Sequence, residues 1–237
     1  MSHSSPASER SYAVALVEAG LQTIPSSLAR TRKARVVARR YGVEPSSLLL
    51  DVSLFYEEIK RMGINPVHAR PDIVHMFLIA ASYSPLGLSG KLKVFVHTHQ
   101  GLLIEVAPGT RPPKNYFQFT KLMIQLLEAG KVPEKGRPLI TLKTKKVRSP
   151  IDLLEQTGSK QLILLDERGR DVECRELWEK THPPTLFAVG GFSRGTFREE
   201  WRAISIDRIR VSPLPLDAWV AADRLIACLE RGVGISL

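Results

Sequence analysis

From Arg137 onward the chain alternates short apolar runs with helix-forming stretches: "PLITLKT", "SPIDLLEQTG", "KQLILLD", "VECRELWEKTH" and "PTLFAVGG". Parallel strands cannot be joined by a tight turn, and a helix is their usual crossover. The rhythm therefore predicts an α/β fold, a mostly parallel sheet with helices on its faces. Upstream, "SYAVALVEAG" (11–20) reads as a first strand, and "SSLARTRKARVVARRYG" as a helix with a serine cap and a stop at Gly42. "SLLLDVSLFYEEIKRMG" predicts a short strand, then a helix from near Ser53 to near Gly63. A buried helix follows Asp72, and "LKVFVHTHQGLLIEVAP" has the form of a hairpin turning at His99-Gln100-Gly101.

The next stretch, "RPPKNYFQFTKLMIQLLEAG", sets Phe119, Leu122, Met123, Leu126 and Leu127 at helical spacing. Lys114, Gln118, Lys121 and Gln125 fall on the opposite face, with Arg111 just ahead of it. A last helix from Pro215 carries the stripe Leu216, Trp219, Ala222, Leu225, Ile226 and Leu229. No internal repeat or long linker divides the chain. The expected organisation is a tail (1–10) followed by one α/β unit (11–237) with a basic elaboration near its middle.

Charge narrows the partners. Thirty-four Lys and Arg against 24 Asp and Glu leave a net +10, which suits a polyanion such as nucleic acid. The densest basic run, Arg30, Arg32, Lys33, Arg35, Arg39 and Arg40, reads either as a solvated helix face or as a phosphate-contacting one. Cys174 and Cys228 are far apart and in no metal spacing, which points to a reducing compartment and away from a disulfide scaffold. The longest apolar run, Ile73 to Ala81, is too short to span a bilayer, and the polar start MSHSSPASER lacks a signal core. A soluble, cytoplasmic protein is expected.

"LFAVGGFSRGTF" puts Gly190, Gly191 and Gly195 directly after an apolar strand, where glycines let backbone amides approach a ligand. Thr196 stands where a phosphate-binding loop needs lysine, and the spacing does not suit a dinucleotide fingerprint. A tight turn is the competing reading. "VSPLPLDAW" (211–219) is a second, proline-stiffened loop feeding a helix. His97 and His99 share a strand face but have no third ligand at metal spacing, so a structural role is expected and no metal. No serine elbow or His-Glu-x-x-His helix marks a hydrolase.

Arg70, Pro71 and Asp72 open the apolar segment "RPDIVHMFLIAASYSPLG". Proline and aspartate suit a first helical turn. Taken in order, however, "RPDIVH", "SPLG", "VFVHT", "APGTRPPKNYFQFTKLMIQLL", "VGGFSRG" and "VSPLPLDAW" resemble one family. It is the SPOUT-class methyltransferases that methylate pseudouridine at ring nitrogen one in small-subunit ribosomal RNA. The resemblance runs from about Ala15 to the C-terminal helix, and "RPDIVH" is its most specific part.

That resemblance implies a homodimer with a C-terminal trefoil knot (about 137–237) binding S-adenosylmethionine between three backbone segments. Here they are Leu165, the Gly190 to Gly195 loop, and Val211, Ser212, Pro213, Leu214, Pro215 and Leu216. It also implies an RNA site containing Arg70, Asp72, Arg111, Lys114 and Gln118, with Arg70 and Asp72 as the catalytic pair. Small-subunit ribosomal RNA is the implied partner, alongside other ribosome-assembly factors or ribosomal proteins. Such an enzyme must extrude the base, align its nitrogen with the methyl group and stabilise charge on the flanking carbonyls. Arg70 suits the last task. A carboxylate paired with an arginine makes a poor general base, so Asp72 is read first as orienting Arg70 or hydrogen-bonding the base, with proton acceptance as the lesser alternative.

Lys114 and Gln118 stand where the family usually has arginines, Gly87 where it has Asn, and "MGINPVHA" departs from the usual basic approach to Arg70. The runner-up function is a ribosome-assembly RNA-binding protein with little catalysis, and a DNA-binding protein is a distant third.

Overall fold

The computed structural model describes residues 12–144, 146–179, 181, 184–202 and 206–235; the expected tail, 1–10, lies outside them. Eight strands form one sheet: Tyr12–Ala19 (β1), Leu92–Thr98 (β2), Leu103–Val106 (β3), Lys131–Val132 (β4), Ile140–Thr144 (β5), Gln161–Asp171 (β6), Thr185–Gly190 (β7) and Asp207–Arg210 (β8). Their order is β4-β5-β3-β2-β1-β7-β6-β8. The five strands from β2 to β8 run parallel. The β2–β3 hairpin then reverses direction, and β5 and β4 continue antiparallel.

The β1 strand is apolar on both faces because both are covered. Val14 and Leu16 enter one buried cluster with helices Pro71–Tyr83 (α4) and Ala218–Gly232 (α10); their labels follow chain order, with α1 to α3 placed below. Ala13, Ala15 and Val17 enter a second cluster with Leu153 of helix Pro150–Thr157 (α7) and Trp201 of the short helix Glu199–Arg202 (α9). Across the first face, α10 lies against α4. Leu225, Ile226 and Leu229 are no more than 1% exposed, and burying each contributes about 1.5–3 kcal/mol. Ala222, Leu225, Ile226 and Leu229 of the stripe are thus covered within the chain and do not by themselves call for a partner subunit, while Leu216 lies before the helix and is exposed.

Local signals explain most boundaries. Ser149 and Asp152 form a reciprocal capping box at the start of α7. Helix Tyr116–Ala129 (α6) begins at Asn115, whose side chain accepts from the Gln118 amide at 3.1 Å.

Four expectations need correction. The basic segment forms two helices, Ser26–Ala29 (α1) and Arg32–Tyr41 (α2), because Thr31 breaks the run and caps the second by accepting from Ala34 N at 3.1 Å. Leu48 to Leu50 are buried but make only an isolated bridge, Thr23 to Leu49, before helix Val52–Arg61 (α3). The last helix begins at Ala218 instead of Pro215, with Asp217 as its cap. Finally, Cys174 and Cys228 are joined in a disulfide, with Cα atoms 5.0 Å apart. Helix Cys174–Glu179 (α8) packs beside α10, so a separation of 54 residues in sequence closes in space. The remaining helix, Pro85–Leu88 (α5), has its Leu86 amide capped by Glu230 of α10 at 3.1 Å.

Candidate active site

Parallel sheets gather ligand loops at the carboxyl ends of their strands. Here a cavity of about 670 Å³ opens at that edge, within the volume range of small-molecule sites. Three backbone segments form its wall: Leu165 to Arg168 in β6, Val189 to Phe197 from the end of β7 into its loop, and Arg208 to Ala221 from the end of β8 into α10 with few interruptions. The fourth contribution, Arg70 and Ile73, comes from the start of α4.

The glycines of the loop after β7 serve different ends. A Cβ on Gly190 would lie 2.8 Å from the Phe192 ring and 3.2 Å from Phe197. Those two rings meet edge to face, with centroids 5.2 Å apart. A Cβ on Gly191 would strike the Ala19 backbone at 2.8 Å, and its amide donates to Val17 O at 2.7 Å. Gly195 has φ of 102°, a conformation that favours glycine. Gly191 thus allows close packing and Gly195 a special turn, while Gly190, Gly195 and their loop also line the cavity.

Arg70 precedes α4, Pro71 occupies the first turn, and Asp72 follows. The guanidinium grips the carboxylate through two bonds, Nε to Oδ1 at 2.8 Å and Nη2 to Oδ2 at 2.7 Å. That bond to Asp72 raises the Arg70 pKa further above its ordinary value against the opposing effect of burial, so Arg70 stays cationic. The same helix positions the approach to α6. His75 Nε2 donates to Pro113 O at 2.8 Å, and Tyr83 OH donates to Pro112 O at 2.9 Å. Lys114 then lies over the Tyr83 ring at 4.7 Å. Buried Asp51 ties the ensemble together: it accepts from Ser53 N at 2.8 Å and from Tyr116 OH at 2.5 Å. Burial, then the Asp51 charge, push the Tyr116 pKa well above the ordinary phenol range, so it remains a neutral donor.

Comparison with known proteins decides the family. The profile described as EMG1/NEP1 methyltransferase matches residues 14–230. This chain belongs to the EMG1/NEP1 methyltransferase family. A relative from Staphylothermus marinus, named ribosomal RNA small subunit methyltransferase Nep1, is 36% identical over 92% of this chain and 94% of its own. One of the same name from Pyrobaculum calidifontis is 35% identical over 93% and 98%. The crystal structure of Archaeoglobus fulgidus Nep1 bound to S-adenosylhomocysteine superposes with a TM-score of 0.81 at 27% identity, covering 94% of this chain and 99% of that one.

On this EMG1/NEP1 fold, Leu165, Gly190, Gly195, Val211, Ser212, Leu214, Pro215 and Leu216 line one cavity, while Pro213 lies in the same segment without lining it. Arg70 is on the wall; Asp72, Arg111, Lys114 and Gln118 are outside it. Arg111, Lys114 and Gln118 are exposed on the loop and helix that α4 holds. His97 is buried and spends both ring nitrogens on the backbone, accepting from Glu18 N at 3.3 Å and donating to Val147 O at 3.1 Å. His99 stacks on His68 with centroids 3.9 Å apart. Arg194 and Trp219, inside two of the quoted motifs but not singled out as ligands, also line the cavity, as does Arg202, which had no distinguishing pattern in sequence. Asp51 carried a signal, an acid after three leucines and before a helix, but its role depends on α6.

Proposed function

We propose that this protein transfers a methyl group from S-adenosylmethionine to ring nitrogen one of a pseudouridine in small-subunit ribosomal RNA. The observation carrying the proposal is the convergence of three backbone segments and the Arg70 lip on one cavity. Family membership and the S-adenosylhomocysteine held by the Archaeoglobus Nep1 structure support the donor.

The residues fit such a donor. Leu165, Val189 and Leu216 offer apolar walls to a flat base, and Gly190 leaves no side chain between the strand end and the cavity. Asp217 supplies a carboxylate suited to a cationic group, Asp166 being paired with Arg208, and Arg194 and Arg202 suit a carboxylate. When bound, the donor supplies a methyl on a sulfonium centre. The chain supplies orientation and charge: Arg70, fixed by Asp72, neutralises charge building on the pseudouridine carbonyls. Both Asp72 oxygens are engaged by the guanidinium, so Asp72 orients Arg70 and does not take the proton. Arg111, Lys114 and the Gln118 face hold phosphates outside the pocket.

We further propose that residues 137–237 are threaded as a trefoil knot and that the protein acts as a homodimer, on family resemblance. Exposed Leu214, Leu216 and Val220 are apolar surface consistent with a partner. Light scattering should give a dimer at micromolar concentration. The decisive assay incubates the protein with labelled S-adenosylmethionine and a small-subunit RNA stem-loop containing pseudouridine. Label should appear on that base and vanish when uridine replaces it. RNA binding without transfer would instead identify an assembly factor.

A further inference from the structure

Glu18 is the only non-glycine residue with positive φ among the described residues, at 58°. It is 5% exposed and stands at the end of β1, where the register with β2 shifts. Side chains rarely adopt this conformation, and where they do the surroundings must enforce it. Two contacts account for it. The Glu18 amide donates to His97 Nδ1 at 3.3 Å. Its carboxylate turns the other way: Oε2 accepts the Arg198 amide at 3.1 Å, and Oε1 pairs with Arg198 Nε.

Arg198 ends the loop that Gly191 begins. The Gly191 amide is bound by Val17 O at 2.7 Å, so consecutive residues of β1 hold the two ends of the loop. Phe192, Ser193, Arg194, Gly195, Thr196 and Phe197 between them line the cavity, while Glu18 and Arg198 do not. We infer that Glu18 is a positioning residue for the donor: through Arg198 it closes the second end of a clamp that gives the glycine loop its binding shape. The inference rests on the proposed donor site and adds to it a residue 180 positions away in sequence. A carboxylate buried this deeply contributes only while its partner is present, since unpaired it would be left without solvation.

The test uses S-adenosylhomocysteine titrated calorimetrically into the full chain. Glu18→Gly removes the carboxylate while leaving φ free of strain, and Arg198→Gln removes the cation from a side chain that is 42% exposed. Each should weaken affinity by about tenfold or more, the scale of one charge-assisted hydrogen bond. The double variant should be no weaker than the poorer single one. Arg198→Lys should recover part of the loss. In turnover the KM for S-adenosylmethionine should rise more than kcat falls, and affinity for the RNA stem-loop should stay within about twofold, which a general loss of structure would not spare. Affinity for S-adenosylhomocysteine unchanged in both folded single variants overturns the clamp while leaving the donor site standing. An additive double variant, or equal loss of RNA affinity, also overturns it. Absence of binding by the wild-type chain removes the donor site and the clamp together.

Discussion

Arg198, Arg208 and Arg210, beside or on the wall of the proposed donor cavity, hold Glu18, Asp166 and Asp171 respectively. On the surface from α2 to α6, by contrast, Arg35, Arg39, Arg40, Arg111, Lys114 and Lys121 have no carboxylate within ion-pair distance among the described residues. The two basic elements adjoin, since Arg40 of α2 and Lys121 of α6 both approach the Phe117 ring at just under 6 Å. Paired arginines fix loops; like charges left unpaired repel each other until a polyanion neutralises them. The basic residues therefore fasten structure at these three cavity positions and lack a carboxylate partner at those six, although Arg194 and Arg202 on the cavity wall are also unpaired among the described residues and Lys33 of α2 is paired with Glu58.

The largest expected effect tests the donor side alone. Gly190→Val drives a branched side chain into Phe192 and Phe197 and should weaken S-adenosylhomocysteine by at least about 100-fold, or about 3 kcal/mol, in calorimetry. RNA affinity should hold; a parallel loss would mean that the two sides are not separable.

Acid should undo the donor side next. Burial lowers the His97 pKa from 6.5 to about 4. The folded state thus prefers neutral His97, and the unfolded chain takes up the proton first as pH falls. Stability from this group is complete above pH 6.5 and is lost progressively down to about pH 4, at most about 3 kcal/mol. Protonation also replaces the acceptor of the Glu18 amide with a donor. Urea unfolding across this range should show the slope, and His97→Gln should reduce it, leaving the share of His99, whose pKa burial also lowers to about 4.

Arg70→Ala addresses the meeting of the two sides. It should reduce methyl transfer or RNA affinity by about 2 kcal/mol, as for a charge-assisted contact in a partly desolvated site. Wild-type values would reduce Arg70 to the start of a helix.

Smaller effects sharpen the contrast in charge. Arg111→Ala and Lys114→Ala should each lower the salt dependence of RNA binding by about 0.7–0.9 in log-log slope, whereas Arg210→Ala should leave it unchanged. Gln118→Arg should tighten binding a few-fold and steepen the slope. Filter binding at several salt concentrations reads all four, and a slope change in Arg210→Ala would break the distinction.

Sequence carried local information well. The alternation after Arg137 foretold β5, α7, β6, α8 and β7, because strand and helix periods are properties of neighbouring residues. In "RPDIVH" the residues themselves announced a helix start, with Pro71 in the first turn of α4, while its link to the family came from resemblance. Gly87 shows the limit. It looked like a departure from family asparagine, yet a Cβ there would lie 2.3 Å from Ala81 O, so the turn after α4 excludes a larger residue as built. The α10 stripe was equally plain, but only the fold shows that α4 covers it.

By itself the sequence determined where apolar faces, turns and excess positive charge lie, since each follows from residue type at short range. Tertiary structure decided which of those features meet. Asp51 reaches Tyr116 across 65 residues and Cys174 reaches Cys228 across 54, and neither pairing has a local spacing to announce it. Whether an arginine is a fastening or a free cation depends on the carboxylate that sheet order and helix packing bring within 4 Å, and that is a property of the folded chain.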